Sequence, residues 1–228
     1  MLPLRDHLPT RTFPFVNYAI IAANVAVFVL KLQGAVTDDE LAFVPARLFS
    51  DPLVGIETMF TAMFMHAGFG HIAGNMLYLW IFGDNVEDAM GHLRYLAFYL
   101  VGGVCAAAAQ TFVSPNVPML GASGAISAVL AAYAFLYPRA PVTVLNPVFI
   151  LWFFFGLFLN FPAWLVIGLF FVVNLWSALT MSAQGGVAFM AHVGGFVAGA
   201  LLYRAFLGGG QALDDYARWQ RWAQRRRG

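Results

Sequence analysis

Gly121-Ala122-Ser123-Gly124 opens an apolar stretch that runs to Tyr137, and it sets a serine among residues small enough for a second helix to lie against. Far down the chain, Ala191-His192-Val193-Gly194-Gly195 sets a histidine near the start of another apolar stretch. A polar side chain inside hydrocarbon is costly and tends to be functional. A serine and a histidine on two helices that pack closely are the elements of a nucleophile and its base.

Composition says that hydrocarbon is the medium. Of 228 residues, 61% are hydrophobic and only 10% charged, and the mean hydropathy is +0.75. Soluble domains carry roughly 25% charged residues. The expected fold class is therefore an all-α polytopic membrane protein, with room for about six spans of ~20 residues joined by short loops. The net charge of +1 singles out no partner, and no nucleic-acid role is expected. Cys105 is the sole cysteine, so no intrachain disulfide forms. The first apolar run follows Arg5 and Arg11, but no small-residue cleavage site follows it before Lys31, so it reads as a retained span.

The spans fall at about Phe15 to Leu30, Phe64 to Phe82, Tyr95 to Val113, Gly121 to Tyr137 and Val187 to Phe206, each apolar all round. The stretch from Val142 to Met181 is too long for one span, and Asn160 and Pro162 interrupt it. It reads either as a helical hairpin or as an interfacial or re-entrant piece (Val148 to Leu159) followed by one span from about Ala163 to Leu179. Arginines decide between them. Six spans put Arg5, Arg11, Arg94, Arg139, Arg204 and the tail residues Arg218, Arg221, Arg225, Arg226 and Arg227 on one side, with only Lys31 and Arg47 opposite. That is a strong positive-inside bias, with both termini cytoplasmic. The compact plan and the absence of a transit-peptide pattern point to a bacterial inner membrane. The longest loop, between spans one and two, carries Asp38, Asp39, Glu40, Asp51 and Glu57, and its Leu41, Phe43, Val44, Leu48 and Phe49 suit an amphipathic structure in the interface. The arginine tail reads as a topology determinant.

His71 and Asn75 are four residues apart and share one face of span two. His66 lies just over a turn earlier, near the outer end of the same span. Two donors aimed at one point are what a developing oxyanion needs. In the six-span plan His71, Asn75, Ser123 and His192 all fall in the outer half of the membrane. Gly121 and Gly124 in span four, and Gly195 and Gly199 in span six, let two backbones approach closely. That approach is required if the Ser123 hydroxyl is to come within about 3 Å of a His192 nitrogen.

No Asp or Glu occurs in span four or span six, so the residues allow a Ser123–His192 dyad, with the histidine held by packing and hydrogen bonds instead of a carboxylate. HExxH is absent. A zinc site from His66, His71 and His192 is conceivable but lacks an acidic partner, and an aspartyl mechanism lacks paired carboxylates in the spans. No metal and no cofactor is expected. A transporter or channel would carry ionisable residues along a path through several spans, whereas these polar groups stop in the outer half.

As a set, His71-xxx-Asn75, Gly121-Ala122-Ser123-Gly124 and Ala191-His192-xx-Gly195-xxx-Gly199 resemble the rhomboid family of intramembrane serine proteases, across nearly the whole chain. The run Gly83-Asp84-Asn85-Val86-Glu87-Asp88-Ala89-Met90-Gly91 is similar to the family's loop after span two, and Pro162-Ala163-Trp164 to its entry to span five. The resemblance implies a six-helix rhomboid-like bundle in which Ser123 is the nucleophile and His192 the base. It makes His71, Asn75 and the backbone N–H of Ser123 the oxyanion hole, and gives His66 a lesser role near a water-filled entrance. It also implies a site open outward to water and a gate formed by span five with the loop from Ser177 to Gly186. The expected domain plan is a tail over 1–14, a membrane domain over 15–207 and a basic tail over 208–228. The expected partners are the lipid bilayer and transmembrane protein substrates; the rival reading is a catalytically inactive relative that escorts membrane helices. Two departures from the family pattern stand out. Ser127 occupies a position where some members carry a tyrosine that packs on the histidine, which leaves Phe189 or Phe196 to do so. No Trp-Arg pair occurs in the first loop.

Overall fold

The computed structural model describes residues 2–146, 152, 156–180 and 188–208. The arginine tail, most of the expected re-entrant piece and most of the expected gate loop lie outside the described residues. Six helices occupy the positions of the six expected spans: α1 (Phe15–Leu32), α2 (Phe69–Tyr78), α3 (His92–Val113), α4 (Ser123–Leu136), α5 (Ala163–Thr180) and α6 (Phe189–Phe206). Of these, α1, α3, α5 and α6 are long and apolar enough to cross a membrane.

The other two are short for different reasons. Helix α4 has 14 residues, about 21 Å at 1.5 Å per residue. It is buried along almost its full length, from Gly124 to Tyr133. A helix walled in by protein is not required to match the thickness of the lipid around it. Helix α2 is the first part of a longer run that continues through a π-helical segment, Leu79–Gly83, into a helix over Asp84–Met90.

The run from Gly83 to Gly91 is thus mostly helix, where a loop was expected. Its carboxylates face the chain entering α1. Glu87, fully buried, accepts the backbone N–H groups of Val16 (3.0 Å) and Asn17 (2.7 Å), so it caps the positive end of α1. It also lies 2.5 Å from His92 Nδ1. Asp88 accepts from the hydroxyl of Thr12 (2.7 Å) and pairs with Arg11 (3.0 Å). Asn17 joins three helices: its amide donates to the Leu79 carbonyl (2.9 Å), and its Oδ1 accepts from the Tyr95 hydroxyl (2.8 Å). Buried polar groups of this kind lock membrane helices together because hydrocarbon offers them no other partner.

At the arginine-rich end the chain holds strands that hydropathy did not announce. The stretch after Arg139, described over 140–146, 152 and 156–180, leads into the single span α5. It forms strands β2 (Pro141–Leu145) and β3 (Phe158–Pro162), which with β1 (Leu2–Asp6) make an antiparallel sheet in the order β1-β2-β3. Val142 and Val144 point inward, fully buried, on the alternating pattern of a half-buried strand. The first residues of the chain form the outer strand of this sheet, Leu2 pairing with Leu145 and Asp6 with Val142. The sheet leads straight into α5, with the N–H of Ala163 donating to the Ala140 carbonyl (2.9 Å).

In the first loop the interfacial expectation divides. Helix Pro52–Thr61 leaves Leu53 and Ile56 exposed, and Phe49 just before it is 80% exposed, which suits a surface lying in the interface. Phe43 instead turns inward, fully buried, and exchanges backbone hydrogen bonds with Met119 (2.9 and 2.8 Å). The loop therefore braces the segment that delivers Ser123.

The hydroxyl of Tyr133 donates to Asp6 (2.6 Å) and ties β1 to α4. Burial pushes the Asp6 carboxyl up to about 6. Burial, with the nearby Asp6 charge, pushes Asp84 up to about 7. Burial acts the same way on Asp88, but bonds from Thr12 and Arg11 outweigh it and hold that group below the usual carboxylate range. Asp6 and Asp84 bind protons more readily folded than unfolded. Their contribution is complete below the unfolded carboxylate value of about 4 and is lost as pH rises through 6 to 7. The melting temperature in detergent is therefore expected to fall between about pH 5 and pH 8, and Asp84→Asn to flatten that fall. An unflattened profile in the variant would show that Asp84 does not titrate in this range.

Candidate active site

Ser123 is the first residue of α4. The first N–H groups of a helix have no partner within it, and the helix dipole adds partial positive charge there. From α6, one turn inside its start, His192 reaches across so that Nε2 lies 2.7 Å from the Ser123 hydroxyl. The serine is thus turned to the histidine and not to its own backbone. Ser127 behaves in the other way, its hydroxyl donating to the Ser123 carbonyl (2.8 Å).

The pair meets because α4 and α6 touch without intervening side chains. A Cβ on Gly195 would collide with the Gly124 carbonyl, and one on Gly199 with the backbone of Ala128. Gly124 is hemmed by Ala106 of α3 and Ala191 of α6. These three glycines sit where sequence put them. Gly121 differs: it precedes α4, with φ +122, and lies against the His71 ring of α2 instead of against α6. A Cβ there would stand 2.7 Å from His71 Cε1 and 3.7 Å from Ser123 Oγ. Its missing side chain leaves free the space between the histidine ring and the hydroxyl.

That space belongs to a cavity of about 480 Å³ whose walls include His71, Asn75, Gly121, Ser123 and His192. The convergence expected from span topology is present. His71 lies on the first turn of α2 and Asn75 one turn on, both facing the cavity.

His66 differs from its expectation. The chain breaks between a 3-10 turn at Ala62–Phe64 and the start of α2, and His66 lies in that break, not on the helix. It is fully buried behind Asn75 instead of lining an entrance, and Asn75 Nδ2 donates to His66 Nε2 (2.9 Å). The three-histidine grouping does not assemble. Among the described residues no three His, Cys, Asp or Glu side chains are placed to hold a metal, and the Nε2 atoms of His66 and His192 face Asn75 and Ser123.

His192 is held by groups that the sequence reading only partly anticipated. Phe189 meets its ring edge-on at 6.3 Å, as expected. Phe196 stacks on Phe171 at 4.5 Å. Phe170 of α5 lies at 6.3 Å on another side. The unanticipated partner is Asn174 of α5, buried, with Oδ1 2.5 Å from His192 Nδ1. Its signal was visible as a lone amide within the otherwise apolar run of α5. Chemically, the arrangement offers a hydroxyl with a base in contact, and side-chain and backbone donors around one open position.

A rhomboid domain model matches residues 55–208. The mitochondrial presenilin-associated rhomboid-like protein of Bos taurus is 33% identical over 134 residues, covering 55% of this chain and 34% of that protein. Rhomboid protease GluP of Bacillus subtilis is 32% identical over 126 residues, covering 54% of this chain and 25% of that protein. The mitochondrial rhomboid protein 1 of Saccharomyces cerevisiae is 26% identical over 217 residues, covering 87% of this chain and 56% of that protein. The chain thus matches about a third or less of the first two and just over half of the third. The chain is a multi-pass membrane protein, but these relatives include mitochondrial proteins as well as a bacterial one, so a bacterial inner membrane gains no support from them.

The close contact is open to test. Gly199→Val is expected to lower the melting temperature in detergent by several degrees, since the backbone of Ala128 has nowhere to go. Gly168→Val on α5 is the control, because a Cβ there meets nothing within 4 Å. Equal melting temperatures for the two variants would contradict the packing described.

Proposed function

The chain belongs to the rhomboid family, and on that premise we propose that it is an intramembrane serine endopeptidase that cuts single-span membrane proteins in or beside their membrane segment. The observation that carries the reading is the 2.7 Å contact between Ser123 Oγ and His192 Nε2 inside a cavity with polar donors. Ser123 attacks the scissile carbonyl, and its proton passes to His192 Nε2. The carbonyl oxygen becomes an oxyanion in the space beside Gly121. There the side chains of His71 and Asn75 and the N–H of Ser123 stabilise it. His192 then returns the proton to the leaving amine. Water, activated by the same base, clears the acyl-enzyme.

His66 takes no part in bond making. It receives one N–H of Asn75 and so fixes the amide with its second N–H free for the oxyanion. The substrate helix unwinds locally before it is cut, because intact helical hydrogen bonds shield its carbonyls. The membrane domain covers residues 15–207, with the segments 1–14 and 208–228 on the arginine-rich side and the site opening to the other.

The test is cleavage of a single-span reporter in proteoliposomes. Ser123→Ala and His192→Ala are each expected to reduce the rate by about a thousandfold or more. Asn75→Ala is expected to lower kcat by about a hundredfold with little change in KM, as for removal of one oxyanion donor. Cleavage by Ser123→Ala at the wild-type rate would overturn the reading.

A further inference from the structure

We propose that Asn174 is a positioning residue that sets the tautomer of His192, making the site a Ser123–His192–Asn174 array; this rests on the protease reading above. The side chain of Asn174 is an amide. Its two ends are chemically different, one donating and one accepting. Nδ2 donates to the Phe170 carbonyl one turn back on the same helix, at 2.8 Å. A carbonyl accepts only, so this bond fixes which end of the amide is nitrogen. Oδ1 is then the end that faces His192 Nδ1 at 2.5 Å. Oδ1 can only accept, so Nδ1 carries the proton. Nε2 is therefore the unprotonated nitrogen, its lone pair directed at the Ser123 hydroxyl 2.7 Å away. Each assignment forces the next.

Rings cannot supply this choice. Phe170 and Phe189 limit how the imidazole tilts, but a phenyl ring does not distinguish one imidazole tautomer from the other. Ser127 is committed to the backbone of its own helix. The described residues around His192 thus leave tautomer selection to Asn174. The Nδ1 proton stays in place through the cycle: when Nε2 takes the serine proton, the imidazolium donates from Nδ1 to Asn174 and from Nε2 to the reacting atoms. A neutral amide orients the base without placing a buried charge in the membrane, which a carboxylate at this position would do. Because Asn174 sits on α5, base orientation also depends on how α5 is seated against α6, where Phe171 stacks on Phe196 at 4.5 Å.

Two readouts on the full chain in liposomes test this. Asn174→Leu removes the acceptor at similar volume, and Asn174→Asp keeps an acceptor. In protein labelled with nitrogen-15 histidine, with His192 assigned by its loss in His192→Gln, wild type and Asn174→Asp are expected to show a protonated Nδ1. Asn174→Leu is expected to populate the form protonated on Nε2. With the single-span reporter, Asn174→Leu is expected to lower kcat about 10- to 100-fold, the worth of one hydrogen bond to a charged group, with KM unchanged. Asn174→Asp is expected to recover most of that loss. A protonated Nδ1 that persists unchanged in Asn174→Leu would overturn the proposal. So would a Leu variant with the wild-type kcat. The ring signals need no turnover, so a wild type that cut no reporter would count against the protease reading and leave the tautomer result to decide the role of Asn174.

Discussion

The contact between α4 and α6 has no side-chain atoms at its centre. Gly195 lies on the Gly124 carbonyl and Gly199 on the backbone of Ala128, so no Cβ fits between them. In lipid there is no hydrophobic drive to press two apolar helices together, and close van der Waals contact is what remains. Here that contact also sets the register of chemistry. Ser123 begins one helix and His192 lies a turn into the other, and only this backbone separation brings their side chains to 2.7 Å. The cavity, the donors from α2 and the brace from the first loop are built around that spacing.

A second constraint shapes the rest. A polar group committed to the bundle gains from a protein partner, because hydrocarbon supplies none. Asn17 answers to Leu79 and Tyr95, Asn75 to His66, and Asn174 to Phe170 and His192. Glu87 answers to the entrance of α1 and to His92. The partnerships of these four residues join one helix to another or to the loop beside it, and so do two jobs. They satisfy a buried group, and they fix an angle or a register that apolar packing alone would leave loose.

The sequence was legible where one physical signal dominated. Low charge content and the arginine asymmetry gave a polytopic helical protein. The glycines at 124, 195 and 199 marked the close contact, and the four-residue spacing of His71 and Asn75 placed two donors on one face. Legibility ended where one signal masked another. Val142-Thr143-Val144-Leu145 is as apolar as a span, so its alternating burial as β2 was hidden by hydropathy. Gly121 read as a packing residue because its neighbours are small, while its positive φ and its nearness to His71 depend on a turn that no local pattern announces. Asn174 was visible as a polar residue in α5, but its partner lies 18 residues on, across a helix-to-helix interface. The carboxylates at 87 and 88 pair with residues more than 70 positions earlier, which only the folded chain brings together.

The central claim is that Ser123 is a nucleophile because His192 stands against it. A fluorophosphonate probe reacts with a serine only when a base activates it. Mass mapping of the labelled protein in native-like membranes tests this directly. A single adduct on Ser123, lost in His192→Ala, is the expected result. An adduct on another residue, or undiminished labelling of Ser123 without His192, would contradict it.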